Sequence, residues 1–319
     1  MKKFLSLFII LTLLAIPCLT LADLHSRQDP AEAKAYIGRT DLTKLFTRKN
    51  EDYPFELVLP DWVRESLTEM EIYEEIYRKV GIDLKEEVKL GRLSVRDGKY
   101  YINFREKKIE KEVIEELKKC GVNTIMVSIR EALIIDGFNL EGFGLKDPSD
   151  LRYFINSVSL DLSRNQGIKD YSFLACLYRL RTLILDNNNI TELSILSDIK
   201  SDISFISLRN NIITNISFLA RLTHLHMLFL SNNQITTLKG LENLRELEEL
   251  FINGNPVTLD GLRYIEQLCY SEVLWVLRID RKIFGEYGKH FALYPEYFQW
   301  IDFIFFHEED GSVTEWRND

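Results

Sequence analysis

Cysteine is scarce in this chain, with four in 319 residues. If the first is lost with a leader, Cys120, Cys176 and Cys269 remain at wide, irregular spacing. An odd set of three allows at most one disulfide within a chain, which excludes a disulfide framework and leaves buried thiols packed as small apolar groups. Catalytic signatures are missing too: there is no Gly-x-Ser-x-Gly elbow, no Walker loop and no Cys-x-x-Cys pair. Gly142-Phe-Gly144-Leu-Lys-Asp147 starts like a dinucleotide fingerprint but has no third glycine, so it reads as a loop. His307-Glu308-Glu309-Asp310 lacks the second histidine of a zinc helix, and His224 and His226 have no third ligand close in sequence. The expectation is a chain with no cofactor, no metal and no enzymatic activity. The alternative is a catalytic site assembled from distant carboxylates within residues 23–152.

Basic residues are in deficit, 40 against 49 acidic ones, a formal net charge of −9. Without Lys2 and Lys3 the balance is 38 against 49, or −11. That balance argues against nucleic acid or an anionic membrane surface as a partner.

Long apolar runs are absent except at the start. Lys2 and Lys3 precede an apolar run from Phe4 to Leu19, followed by Thr20-Leu21-Ala22. This is the layout of a secretory signal, residues 1–22, with Asp23 starting a mature chain that is secreted or periplasmic. Two other readings stand beside it: an uncleaved anchor through residues 4–21, and a lipoprotein leader ending at Cys18, which Pro17 opposes. No later stretch reaches the ~18 apolar residues of a spanning helix. The oligomeric state is not encoded in any of these features.

What the chain does have is a repeat. Asparagine recurs at Asn165, Asn188, Asn211, Asn233 and Asn255, at intervals of 23, 23, 22 and 22. Each is preceded at three and five positions by aliphatics, as in Leu183 and Leu185 or Leu228 and Leu230. Period two means a strand with one buried face. Four copies add an aliphatic two positions later (Ile190, Ile213, Ile235, Val257), whereas the first has Gly167 there and Ile168 one late. Such short strands cannot bury an apolar face alone, so successive copies must stack in parallel at ~4.8 Å over one core. Aliphatics at three-residue steps beyond them, such as Leu238, Leu241 and Leu244, fit a 3₁₀ or helical return.

These residues, as in Leu225-His-Met-Leu228-Phe-Leu230-Ser-Asn-Asn233-Gln-Ile235, resemble the leucine-rich-repeat pattern in its 22-residue class, that of bacterial internalins and the nuclear regulatory subunit of protein phosphatase one. The resemblance covers about a third of the chain. It implies an α/β fold class: a leucine-rich-repeat solenoid whose parallel β-sheet has a 3₁₀ or helical convex side, preceded by a small α+β domain. It also implies a scaffold that binds a protein or peptide.

Outside residues 153–263, which hold about five repeats, the reading is coarser. Residues 23–152 read as an α+β cap. In it Asp61 caps a helix carrying Val63, Leu67, Met70, Tyr73, Tyr77 and Val80 and stopping at Gly81. Leu93 to Phe104 alternates around Asp97-Gly98, a hairpin signal. A second helix spans about Ile109 to Cys120, and a strand over Asn123–Ser128 begins the solenoid's sheet. Residues 264–319 read as a closing cap: Val273 to Asp280 resembles the phosphatase-regulator cap, the aromatics of 291–305 pack on it, and Glu308 to Asp319 is a solvated acidic tail.

Alternation also names the face opposite the core. The residues between the strand leucines run Asp161, Ile184, Ser207, Phe229 and Phe251, flanked by Phe205, Met227, Asp186 and Arg209. Phe205, Met227, Phe229, Phe251 and Ile184 would therefore cluster on an open concave surface with Asp186 and Arg209 at its edge, a partner site by composition. The competing reading is that another part of the chain folds over it. Two sequons, Asn189-Ile-Thr191 and Asn215-Ile-Ser217, follow strands and matter only in a eukaryotic source.

Overall fold

The computed structural model describes residues 29–47, 56–269, 273–282 and 303–317. The leader expected at residues 1–22 and most of the aromatic 291–305 stretch lie outside the described residues.

The chain opens on α1 (Pro30–Arg39), entered through Asp29, whose carboxylate accepts the Ala31 N–H at 2.8 Å. After α2 (Leu42–Leu45) come a short ladder of β1 (Phe46–Thr47) and β2 (Glu56–Leu57), then α3 (Asp61–Ser66) and α4 (Glu69–Lys79). The single helix expected from Asp61 is thus two helices. Leu67 adopts an extended backbone, and Thr68 starts α4 with a capping box: Thr68 Oγ1 accepts from Glu71 N at 3.3 Å and Glu71 Oε2 from Thr68 N at 3.0 Å. A threonine followed by a glutamate three residues on satisfies two orphan amides, so a new helix start competes with continuation. Asp61 makes no capping bond; Pro60 precedes α3. Gly81, at φ +82, ends α4 in a left-handed turn, with Ile82 N donating to Tyr77 O at 3.0 Å.

Helix α5 (Leu84–Lys89) leads into β3 (Leu93–Arg96) and β4 (Lys99–Ile102), an antiparallel hairpin. Its two-residue turn is Asp97-Gly98, both at positive φ, as the sequence predicts. Next come α6 (Lys107–Lys119), closed at Gly121, and α7 (Ile129–Ala132). The strand expected at Asn123–Ser128 does not form. Thr124 Oγ1 accepts from Met126 N and donates to Met126 O, closing a local turn that leaves Ile125 87% exposed; the segment meets β4 at its end alone, where Ser128 forms an isolated bridge to Tyr101 and Val127 O accepts from Ile102 N at 2.9 Å.

The large sheet begins instead at β5 (Gly137–Asn139) and continues through β6 (Ser159–Asp161), β7 (Thr182–Ile184), β8 (Phe205–Ser207), β9 (Met227–Phe229) and β10 (Glu249–Phe251). Phe138 aligns with Leu160, so β5 belongs to an additional, degenerate repeat. Phe143 stands where its asparagine would be, which hides it from a search for the ladder. On the convex side, 3₁₀ turns at Ser149–Tyr153, Ser172–Cys176, Ser194–Asp198 and Ser217–Arg221 carry the chain back, burying Leu151, Leu174, Leu196 and Leu219. A true helix, α8 (Leu259–Cys269), replaces the 3₁₀ turn after β10.

Beyond it β11 (Val276–Asp280) and β12 (Phe303–His307) extend the sheet in parallel, and β13 (Val313–Arg317) closes it antiparallel. The stretch expected as a solvated acidic tail therefore contains the edge strand. Its alternation is short and its outward side chains, such as Val313 and Glu315, are exposed, so composition alone reads it as tail. One contiguous apolar core runs from Ala33 in α1 through every repeat to Phe306.

The asparagines hold the repeats in register. Asn211 is typical: Oδ1 accepts from Asn188 N and Ile190 N at 3.0 Å, while Nδ2 donates to Leu185 O at 2.9 Å and Leu208 O at 3.0 Å. Each amide thus ties its own turn to the preceding repeat where water does not reach. The residue before each ladder asparagine is left-handed: Arg164, Asn187, Asn210, Asn232 and Gly254. The departure in the first copy is steric. A Cβ on Gly167 would stand 2.7 Å from Leu145 O, so the previous repeat approaches too closely for a side chain, and Ile168 enters the core instead.

Candidate binding face

Strand alternation puts the ladder leucines in the core and the intervening residues on the concave face, in three columns running across the strands. The structure brings the sequence-predicted residues together there. Phe205 and Phe229 meet edge to face at 5.1 Å between centroids, and Phe229 stacks on Phe251 at 4.2 Å with 13° between planes. Both arrangements are favourable ring geometries. Ile184 and Met227 flank them, half-buried. Asp186 is a local hub: its Oδ1 accepts from Ser207 Oγ at 2.6 Å and from the Arg209 N–H at 2.8 Å.

The open apolar surface expected at Phe229 and Phe251 is not what the face presents. Each ring is only 9% exposed, yet neither joins the leucine core behind it. Cations stand over both rings. The guanidinium of Arg209 stands 4.2 Å from the Phe229 centroid, and that of Arg278 4.4 Å from Phe251 and 4.8 Å from Phe305. These are cation–π contacts over ring faces. Among the described residues, the groups that stand over these ring faces are arginines of the same sheet.

Arg278 and Phe305 were not among the residues expected on this face. The signal was present: Leu277 and Ile279 alternate like Leu250 and Ile252, and Phe251 pairs with Arg278 in register. The interval from Leu250 to Leu277 is five residues longer than the repeat, because α8 is longer than the 3₁₀ turns it replaces, so the column is lost to a periodic search.

Other sequence candidates sit apart from the face. Gly142 and Gly144 form the left-handed turn of the degenerate first repeat, where Lys108 Nζ donates to Phe143 O. His224 Nδ1 lies 3.1 Å from Glu246 at the rim, and among the described residues no cluster has the makings of a metal site. Cys176 is a free thiol, and burial pushes it up.

A groove of about 940 Å³ between α1, α2 and the starts of the early repeats is lined by Lys79, Arg179, Arg181 and Lys200 among others. No sequence pattern announces it, because its walls come from distant segments. Its cations are partly structural: Arg179 donates to Thr43 O at 3.0 Å and Phe46 O at 3.2 Å, Lys79 to Gly38 O at 2.7 Å, and Arg181 pairs with Asp202. Tyr178, pushed up to about 12 by burial, donates to Asn156 Oδ1 at 2.9 Å. The Arg179 bonds latch the amino-terminal segment onto the repeats.

Residues 203–243 and 223–264 match the leucine-rich-repeat family model in two copies. They are leucine-rich repeats. The solenoid they belong to is the fold of a protein-interaction module. Among solved structures, the chain is similar to internalin C2 of Listeria monocytogenes at 24% identity, over 58% of this chain and 90% of that one, with a TM-score of 0.44. A leucine-rich-repeat protein of Leptospira interrogans is 22% identical over 48% of this chain and 46% of its own, with a TM-score of 0.40. Internalin F of Listeria monocytogenes is 18% identical over 56% and 85%, with a TM-score of 0.24. No curated protein matches the chain significantly. Among the described residues no helix is long and apolar enough to cross a membrane.

Proposed function

We propose that this is a secreted or periplasmic binding protein that takes a protein or peptide partner on the concave face of its late repeats. The observation that carries the reading is the aromatic column of Phe205, Phe229 and Phe251 set on the concave face, outside the leucine core. Large, stiff aromatics with an arginine beside them are the residue types that dominate binding energy at interfaces. Asp186, Arg209, Ile184 and Met227 complete the contact surface. The leader at residues 1–22 supports export.

Affinity capture with the exported form tests the binding claim. A specific partner recovered by the wild type should fall at least tenfold with Phe229→Ala plus Phe251→Ala, and equal recovery would overturn it. Mass spectrometry of the mature amino terminus tests export with cleavage: a start at Asp23 is expected, and retention of residues 1–22 would instead indicate an anchored envelope protein.

A further inference from the structure

Arg209 and Arg278 are drawn together in an unusual way. Their strands, β8 and β11, are three steps apart in the sheet, roughly 14 Å at ~4.8 Å per strand. Yet both guanidinium carbons stand over the same ring: 5.7 Å from the Phe251 centroid for Arg209 and 4.4 Å for Arg278. They are therefore no more than about 10 Å apart. Neither forms an ion pair with any described carboxylate, and Arg278 Nε is buried without a hydrogen-bond partner. The carboxylates nearest in the sheet are occupied elsewhere. Asp186 holds Ser207 and the Arg209 amide, and Asp280 accepts the Gly254 N–H at 2.8 Å. Glu249, on the same face, makes no ion pair with either arginine.

Two cations converging without counter-charge in an acidic chain leave the Arg209 guanidinium and the Arg278 Nη groups to be satisfied from outside. Guanidinium forks match carboxylates bidentately. Screening beyond roughly 8 Å at physiological salt makes this local pair, not the net charge of the chain, what a docked group would feel.

We propose that the concave face recognises an extended acidic peptide segment, with two carboxylates spaced two residues apart docking on Arg209 and Arg278. An extended strand rises ~3.3 Å per residue and alternates its side chains, so an i, i+2 pair lies on one face roughly 7 Å apart, within the upper bound on the guanidinium separation. Phe229 and Phe251 are the platform that aims them. This rests on the concave-face reading above and adds the chemistry of the ligand.

The test uses a fluorophore-labelled octapeptide of alternating Glu and Ser, its Gln-Ser counterpart and its Lys-Ser counterpart, titrated by anisotropy against the full chain. The Glu peptide should bind at least tenfold more tightly than the Gln peptide, weaken as NaCl is raised, and lose that preference in Arg209→Gln plus Arg278→Gln. Arg209→Lys plus Arg278→Lys keeps the charges without the forks and should fall between. A thermal melt checks each variant; if the double Gln variant melts early, the half-exposed Arg209→Gln alone carries the comparison.

Equal binding of Glu and Gln peptides, tighter binding of the Lys peptide, binding by none, or indifference to the arginine changes would each overturn the proposal. Equal binding of Glu and Gln peptides that is abolished by Phe229→Ala plus Phe251→Ala would leave the concave-face reading standing while removing its acidic specificity.

Discussion

The two halves of the molecule are held together by different chemistry. Through the repeats the buried polar links are neutral amides: Asn165, Asn188, Asn211, Asn233 and Asn255 bond only to backbone groups and to one another's turns. In the amino-terminal half the equivalent work falls to charged side chains. Glu74 is buried against Tyr100 and Lys85, Glu87 against Tyr153 and Arg92, and Glu71 closes a capping box while bonding Lys34 at 3.0 Å. A neutral link repeats without limit, because stacking it adds no like charge; a charged one must be matched to its own partner each time. Periodicity and charge economy are thus the same fact seen at two levels.

The contrast can be broken most sharply at Asn211. Asn211→Ala strips the partner from three buried backbone groups, Asn188 N, Ile190 N and Leu185 O, at roughly 1–3 kcal/mol each before relaxation, while Leu208 O keeps the Asn233 amide. A net loss of at least about 3 kcal/mol is expected, read as a fall in the urea midpoint at unchanged slope. A loss below about 1 kcal/mol would mean that the ladder is not what binds the repeats.

Gly254→Ala probes the backbone of the same turns. The site has φ +72, and a Cβ there would lie 2.1 Å from Asn232 Oδ1. The left-handed backbone costs about 1–2 kcal/mol, and the Asn232 main-chain N at 3.2 Å from the added Cβ can only increase that. Arg164 occupies the corresponding place in the first regular repeat at φ +58, carrying the penalty already. Arg164→Gly should therefore stabilise, by up to about 1 kcal/mol once glycine's greater unfolded freedom is deducted. A melting temperature that rises for Arg164→Gly and falls for Gly254→Ala would establish the column as one conformational site; shifts of the same sign would sink it.

The smallest effect belongs to pH. Backbone and side-chain hydrogen bonds from Thr68 and the Lys34 ammonium hold the Glu71 carboxyl down at about 2. A depressed folded value stabilises above the ordinary carboxylate range and loses that contribution as pH falls toward the folded value. The gap in urea midpoint between wild type and Glu71→Gln should narrow from pH 4.5 to pH 2. Asn211→Ala, which alters no titrating group, should keep its gap over the same range.

How much of this was legible in the sequence follows from the same division. The ladder, the strand alternation and the concave positions of Phe205, Met227, Phe229 and Phe251 could be read because each copy corroborates the others. The degenerate first repeat escaped where Phe143 replaces an asparagine, and Arg278 escaped because α8 shifts it out of period. In the amino-terminal half nothing repeats, so a single local contest, the Thr68 capping box against helix continuation, could not be decided from apolar spacing alone. The covering of the aromatic rings is a tertiary fact: alternation says which side a phenylalanine faces, not which arginine from a later strand lies over it.

The termination of the left-handed column has an architectural consequence. Up to Asn232, each such turn donates its N–H to a main-chain carbonyl of the next strand, as Asn210 does to Ser231; Gly254 donates to the side chain of Asp280 instead. A carbonyl can be supplied by any inserted copy, whereas the Asp280 carboxylate is supplied once. The module can therefore grow by duplication upstream of Gly254 but not between it and its aspartate. One added copy between Asn233 and Asn255 would part Phe229 from Phe251 by a further ~4.8 Å, regraduating the ruler that spaces the two arginines while leaving both ends of the protein as they are.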